Sequence, residues 1–329
     1  MNRYKTIMAI LVVLLVIMGG SAWYLFANNI GSGYAHADQY QAGNTEIASA
    51  VENLDIDWTS GAVNIEYHAG SGVKVTETSP NPLTEDQMLR WWLDGKTLRI
   101  RYLKPGINLN FNLKKTLTVS LPEGAVLKKA EISVTSADVN IPALTADEIL
   151  FDSTSGNITA VLAAKKLSST STSGDMNLRL NSDPDSVSLS STSGEIGITL
   201  AGAKNIEADS TSGNINVTAS GSVGNLRLHS TAGIVTADLA DTDKADFSST
   251  SGNITAKLAS FRELKIDATS GDIALALPDA PGFTLDLGTK ASRFHTDLAL
   301  EKNGNIYTFG DGSAKCRIST TSGEVRIEQ

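Results

Sequence analysis

The sequence predicts an all-β fold: a single-chain β-solenoid (β-helix-like) of two-strand repeats of about 19 residues, preceded by one N-terminal transmembrane helix. Three observations lead there. A Thr-Ser-Gly tripeptide recurs at near-constant spacing. Apolar residues alternate with polar ones on both sides of it. A single long apolar run opens the chain.

Arg3 and Lys5 precede an apolar stretch from Ile7 to Phe26. At 1.5 Å per residue, about 20 helical residues cross a hydrocarbon layer of ~30 Å. Trp23, Tyr24 and Phe26 stand at its far end, where amphipathic rings favour the interface. The two cations keep the N-terminus cytoplasmic, so the remainder faces outward. The expected plan is therefore cytoplasmic residues 1–6, a signal-anchor helix over 7–27, a tether over 28–45 and an extracytoplasmic domain over 46–329. The competing reading is a signal peptide cleaved at Gly20-Ser21-Ala22. The Trp-Tyr-Leu-Phe run beyond that point favours the uncleaved anchor. The expected location is the cell membrane, single-pass, with the C-terminal domain outside.

The tripeptide is intact at Gly61, Gly156, Gly174, Gly194, Gly213, Gly252, Gly271 and Gly323. Near-copies end at Ala137 and Gly233. From Ala137 to Gly271 the steps are 19, 18, 20, 19, 20, 19 and 19 residues. Around Gly194 the apolar grammar is Val187, Leu189, then Ile196, Ile198, Leu200; around Gly271 it is Leu264, Ile266, then Ile273, Leu275, Leu277. Period-two alternation means a strand with one buried face. Two strands are expected to meet at each corner, where glycine takes φ > 0 and the Thr-Ser hydroxyls satisfy backbone groups freed by the bend. A second turn, at segments such as Ala163–Lys166 and Asp241–Lys244, closes each repeat. One repeat cannot bury its apolar face alone, so repeats stack at the ~4.8 Å strand spacing.

Regularity is expected over 126–300, with irregular strands and a cap over 46–125 and a hairpin insertion plus a final repeat over 301–329. Val73–Thr78, Thr97–Tyr102 and Thr116–Leu121 read as strands. Trp91 and Trp92 are adjacent, so they cannot both face one core. After Gly271 the register degenerates: Ser292 stands where glycine would, with Leu285, Leu287, Phe294 and Leu298 at apolar sites. Asn303-Gly304 and Asp311-Gly312 signal turns.

At this point the chain resembles the bacterial "putative adhesin" β-strand-repeat family, a domain of unknown function. The resemblance covers Val51 to Gln329. It rests on the serial units typified by Asp152-Ser153-Thr154-Ser155-Gly156-Asn157-Ile158, and on the closing run from Ile318 to Ile327. It implies a membrane-anchored member of the Gram-positive cell envelope, linked with adhesion or envelope stress. It assigns no functional residue, because the motif is structural.

The chemistry of the chain excludes more than it offers. Its 329 residues carry a net charge of −9, which repels phosphate backbones and argues against a nucleic-acid partner. The lone Cys316 alternates with Ile318 and Thr320 and reads as a small buried hydrophobe. The four histidines, His36, His68, His229 and His295, lie far apart, and no Gly-x-Ser-x-Gly turn is present. Acids after the corner glycine, such as Asp175 and Glu195, would come about 5 Å apart on successive repeats. That spacing suits paired carboxylates or a Ca²⁺ column, but turn preference and solubility explain the same residues. The expectation is therefore a non-enzyme with no catalytic residue, metal or cofactor. It would be a rigid domain presented for binding cell-wall glycan or an envelope protein, or for sensing or scaffolding. The alternative is a carbohydrate-active β-helix enzyme, with a long groove lined by three or more acids or bases.

Overall fold

Alternation of buried and exposed residues runs through strand after strand, as in Asn53–His68, Leu127–Ser153, Ile158–Ser171, Ile215–Ser230, Val235–Ser249 and Ile254–Ala268. The structure, a computed structural model, describes residues 34–106, 113–278, 282–288, 293–304 and 306–329. Among these residues all 23 strands join one sheet around one apolar core.

The middle of the molecule is parallel. Ile196, Ile215, Val235, Ile254, Ile273 and Val325 follow one another on neighbouring strands, as do Val187, Ile206, Leu226, Ala245, Leu264 and Cys316. All twelve are buried. Each apolar row therefore lies on the row of the next repeat, and burial is shared along the whole sheet.

The expected fold needs correction on two counts. The described residues form a closed, mainly parallel β-barrel-like core in a single sheet, not a solenoid of separate two-strand repeats. Leu127–Ser153, for example, passes the second bend without leaving the sheet. The bend is absorbed as a register shift, between Ile141 and Leu144 there and between Ala219 and Ser222 further on. The physical reason is that parallel partners on adjacent strands keep the backbone groups paired through a bulge, so no terminating turn is required. The second count is the helix. No helix among the described residues is long and apolar enough to cross a membrane. The segment 7–27 read as a membrane-spanning helix lies outside the described residues, as do the first part of the tether and Thr289–Ser292.

Both ends of the sheet depart from chain order. Asn53–His68 is wedged between the later strands Thr97–Arg101 and Lys115–Pro122 on one side and Leu127–Ser153 on the other. At the opposite end, Ala314–Thr320 lies between Ile254–Ala268 and Phe283–Leu287, parallel to both. Val325–Glu328 lies likewise between Ile273–Ala276 and Phe294–Thr296. Antiparallel strands finish each end: Val73–Thr78 and Arg90–Asp94 at one, and the hairpin of Glu301–Asn303 and Ile306–Phe309 at the other. Trp91 packs against the core, while Trp92 lies tilted against Tyr40, with ring centroids 5.6 Å apart, and carries the Arg99 guanidinium.

Candidate functional site

The predicted corner residues come together in one column. A Cβ built on Gly156 would fall 1.7 Å from the Ala137 carbonyl oxygen. On Gly174, Gly194, Gly213, Gly233, Gly252 and Gly271 it would fall 1.9–2.1 Å from the carbonyl oxygen of the preceding glycine in the column. Gly323 stands on Gly271 in the same way, at 2.0 Å, and Gly61 on Lys115. Glycine is required here by contact. Of the nine corner glycines, only Gly61 has a positive φ, 106°, so the expected left-handed corner is corrected. A side chain would occupy the space of the neighbouring backbone.

The expected role of the Thr-Ser pair is corrected as well. Thr154, Ser155, Thr172 and Ser173 are exposed. The hydroxyl that serves the corner lies three residues before the glycine and is buried. Ser153 and Ser171 donate to the carbonyls of Gly156 and Gly174, both at 2.6 Å. Ser230, Ser249 and Thr320 accept from the N–H groups of Gly233, Gly252 and Gly323 at 2.8, 2.8 and 3.1 Å. Ser191 and Ser210 occupy the same column with no hydrogen-bond partner. The signal was present in the sequence: a hydroxyl residue recurs at that otherwise apolar position.

The residue after the glycine forms a second column, on the outside. Asp138, Asn157 and Asp175 each accept the backbone N–H of the next residue in the column, at 3.0, 2.9 and 2.8 Å. Asn214, Asn253 and Asp272 do the same at 2.9 Å. The Asp175 carboxylate is thus occupied as a backbone acceptor, and Glu195 takes the Asn216 amide at 2.5 Å. Among the described residues no group of three or more His, Cys, Asp or Glu is placed to hold a metal ion.

Sequence reasoning missed a shallow groove on the outer face. It crosses strands from Ser186–Ser191 to Ile254–Ala268 and is lined by Ser188, Asn205, Glu207, Asn225, Arg227, Lys244, Asp246, Glu263 and Lys265. Glu207, Arg227, Asp246 and Lys265 are successive partners on neighbouring strands, so the row alternates in sign. Arg227 lies 3.6 Å from Glu207, Lys265 3.3 Å from Asp246 and Lys244 3.5 Å from Glu263. A charge of alternating sign every 19 or 20 residues at one outward position was the readable signal.

Beside this row, Asp209, His229 and Ser248 are successive partners too, with His229 Nδ1 2.8 Å from Ser248 Oγ. Burial, reinforced by Glu207, raises the Asp209 carboxyl above its usual range; His229 and Arg227 pull the other way. The flanking strand backbones are spent on the parallel ladder, which leaves them poorly placed to receive an oxyanion. The other histidines are elsewhere: His36 near Trp92, His68 on the Gly72 carbonyl at 2.8 Å, and His295 on Phe294–Thr296.

One charged cluster is fully interior. Lys115 Nζ sits 2.8 Å from Glu77 Oε2 and donates to the carbonyls of Gln87, at 2.7 Å, and Tyr102. The Trp58 and Tyr102 rings lie 4.9 and 4.3 Å away. The Leu89 N–H donates to Glu77 Oε1 at 2.6 Å, and Trp58 and Leu89 are both without exposure. Burial depresses the Lys115 ammonium, while Glu77 holds it up. This cluster binds the end of the sheet together and has no opening for a ligand.

Comparison with known proteins follows the same lines. A structure named "putative adhesin" from Parabacteroides distasonis ATCC 8503 aligns over 72% of this chain and 96% of its own, at 16% identity and a TM-score of 0.50. It shares the fold. A "putative lipid binding protein" of the same organism aligns over 90% of this chain and 98% of its own, at 15% identity and a TM-score of 0.47. A "putative adhesin" from Bacteroides fragilis NCTC 9343 aligns over 69% and 96%, at 17% identity and a TM-score of 0.42. No curated protein matches the chain. The family model described as Toastrack DUF4097 matches residues 51–263 and 260–328, nearly the whole of the described sheet, and the chain belongs to that family.

Proposed function

We propose that this protein is a non-enzymatic binding module of the cell envelope. The outer groove would engage an extended polar polymer such as wall glycan, or an envelope protein. The observation that carries the reading is the groove itself. It is long and shallow, it carries rows of polar and charged side chains, and it repeats its contacts at the ~4.8 Å strand spacing. A periodic row suits a polymer that repeats the same weak contact many times, because linked contacts multiply in effect. The bridged charges also speak for binding over catalysis. Each groove acid has a cation on the adjacent strand, so none stands free to give or take a proton.

The test is retention of the purified protein on cell-wall material and envelope extracts, against the triple variant Arg227→Ala/Lys244→Ala/Lys265→Ala. The three side chains are exposed and their ion pairs are worth about 0–1 kcal/mol each, so the variant should stay folded. Retention should fall at least tenfold. A parent protein that is retained on neither material would end this reading.

The presence of Glu207, Asp246 and Glu263 in one groove keeps a second reading in play, a carbohydrate-active enzyme. It requires release of reducing ends from wall or extracellular polysaccharide, abolished by Glu207→Gln or Glu263→Gln. Absence of turnover by the parent disposes of it.

A further inference from the structure

Repeat 254–276 and the strands that follow it in the chain, Phe283–Leu287 and Phe294–Thr296, are held apart in space by a segment from later in the chain. Its inward side chains Ala314, Cys316, Ile318, Val325 and Ile327 are buried. Cys316 meets Leu264 on one side and Leu285 on the other; Ile318 meets Ile266 and Leu287. Backbone bonds clamp it from both sides, with Ser322 N–H donating to Thr269 at 3.0 Å and Gly288 N–H to Ile318 at 2.8 Å. The segment is reached through Gly310-Asp311-Gly312-Ser313, where both glycines have positive φ, 57° and 67°.

The wedged strand at the other end is held by the Trp58 indole, which donates to the Lys115 carbonyl at 3.2 Å, and by Asp55, which pairs with both Arg99 and Arg101. The later segment has surface pairs instead. Arg317 lies 3.8 Å from Asp286, and Arg326 lies 3.4 Å from Glu328 within the segment, all four side chains more than half exposed. Such pairs hold little.

We propose that Ala314–Glu328 is an exchangeable donor segment, and that the slot between repeat 254–276 and the strands Phe283–Leu287 and Phe294–Thr296 accepts the same segment from a second copy of this chain. The slot reads backbone plus a row of alternate apolar side chains, the usual terms of strand addition. A copied segment offers the identical set. Two copies that open at the 310–313 hinge can exchange reciprocally, and the exchange closes as a two-fold dimer.

The full-length protein carries its own reporter, since the buried Cys316 thiol becomes reactive only when the segment leaves. The probe is a fluorescent peptide of residues 314–329 carrying Cys316→Ser, mixed with the full chain under native conditions. The expected result is incorporation at the rate at which Cys316 becomes labelled by a maleimide, with at least tenfold less incorporation for the same peptide bearing Ile318→Asp. Mixed isotopic copies at high concentration should give heterodimers by native mass spectrometry. Opening without incorporation, seen as labelled Cys316 and free peptide, would overturn the proposal. So would a Cys316 thiol that stays protected until the whole chain unfolds.

Discussion

The middle of this sheet and its first end bury their interiors by different means. Between Leu127 and Ala276 every pairing is parallel, the core is mainly aliphatic with Phe151, Phe247, Phe261 and a few small hydroxyls, and the backbones at the corner touch through glycine. From Gln41 to Pro122 the pairings turn antiparallel in part, and the interior takes Trp58, Tyr102 and the ion pair of Lys115 with Glu77. A repeat in the middle has similar neighbours above and below, so much the same buried rows serve all of them. A terminal repeat has a neighbour on one side only. It must finish the core with large side chains and turn its open edge aside, which the short antiparallel strands do.

The comparison is most easily broken at the ion pair. Lys115→Met removes the cation and leaves Glu77 buried without its partner. A loss of about 3–5 kcal/mol is expected from urea midpoints. Adding Glu77→Leu should restore most of that, since an apolar pair of similar volume costs little. A single variant as stable as the parent would show that the end is not held there.

The corner column comes next. Gly213→Ala places a methyl 1.9 Å from the Gly194 carbonyl and should cost about 3 kcal/mol through displaced backbone. Gly124→Ala, at φ 76° but with open space around it, should cost about 1–2 kcal/mol from backbone strain alone. Equal losses at the two sites would refute contact as the reason for the column.

A finer contrast lies within one row of serines. Ser230→Ala strands the Gly233 N–H and should lose about 1–2 kcal/mol. Ser210→Ala removes a hydroxyl that has no partner and should be neutral or slightly stabilising. Thermal unfolding of the two variants side by side decides it.

The smallest effect is a repair. Ile234 interrupts the outer Asn/Asp column and is 45% exposed. Ile234→Asn supplies the absent acceptor for the Asn253 N–H and should gain about 0.5–1 kcal/mol. No gain would mean that the column adds nothing to stability.

Much of this was readable before any coordinates. The inward rows headed by Ile196 and Val187 were visible as alternation, and the column of glycines as a spacing, because both are properties of one residue and its near neighbours. The groove was less legible. Glu207, Arg227, Asp246 and Lys265 are ordinary outward residues of their own strands, and only the lateral register makes them one row. The buried Lys115 was invisible, since its partner Glu77 lies on another strand and nothing local separates it from a surface lysine.

The amino-acid sequence by itself therefore determined strand period, repeat length, which face of each strand is buried, and where backbone must approach backbone. These follow from side-chain volume and polarity along the chain. Tertiary structure alone decided that the bends stay within one closed sheet, and that segments 53–68 and 314–328 are wedged out of chain order. It also decided that the corner glycines are demanded by a neighbour's carbonyl and not by their own φ. The reason is common to all three. Each repeat offers nearly the same edge and the same apolar row, so local sequence leaves the order of stacking open and the packing of the finished ends selects it.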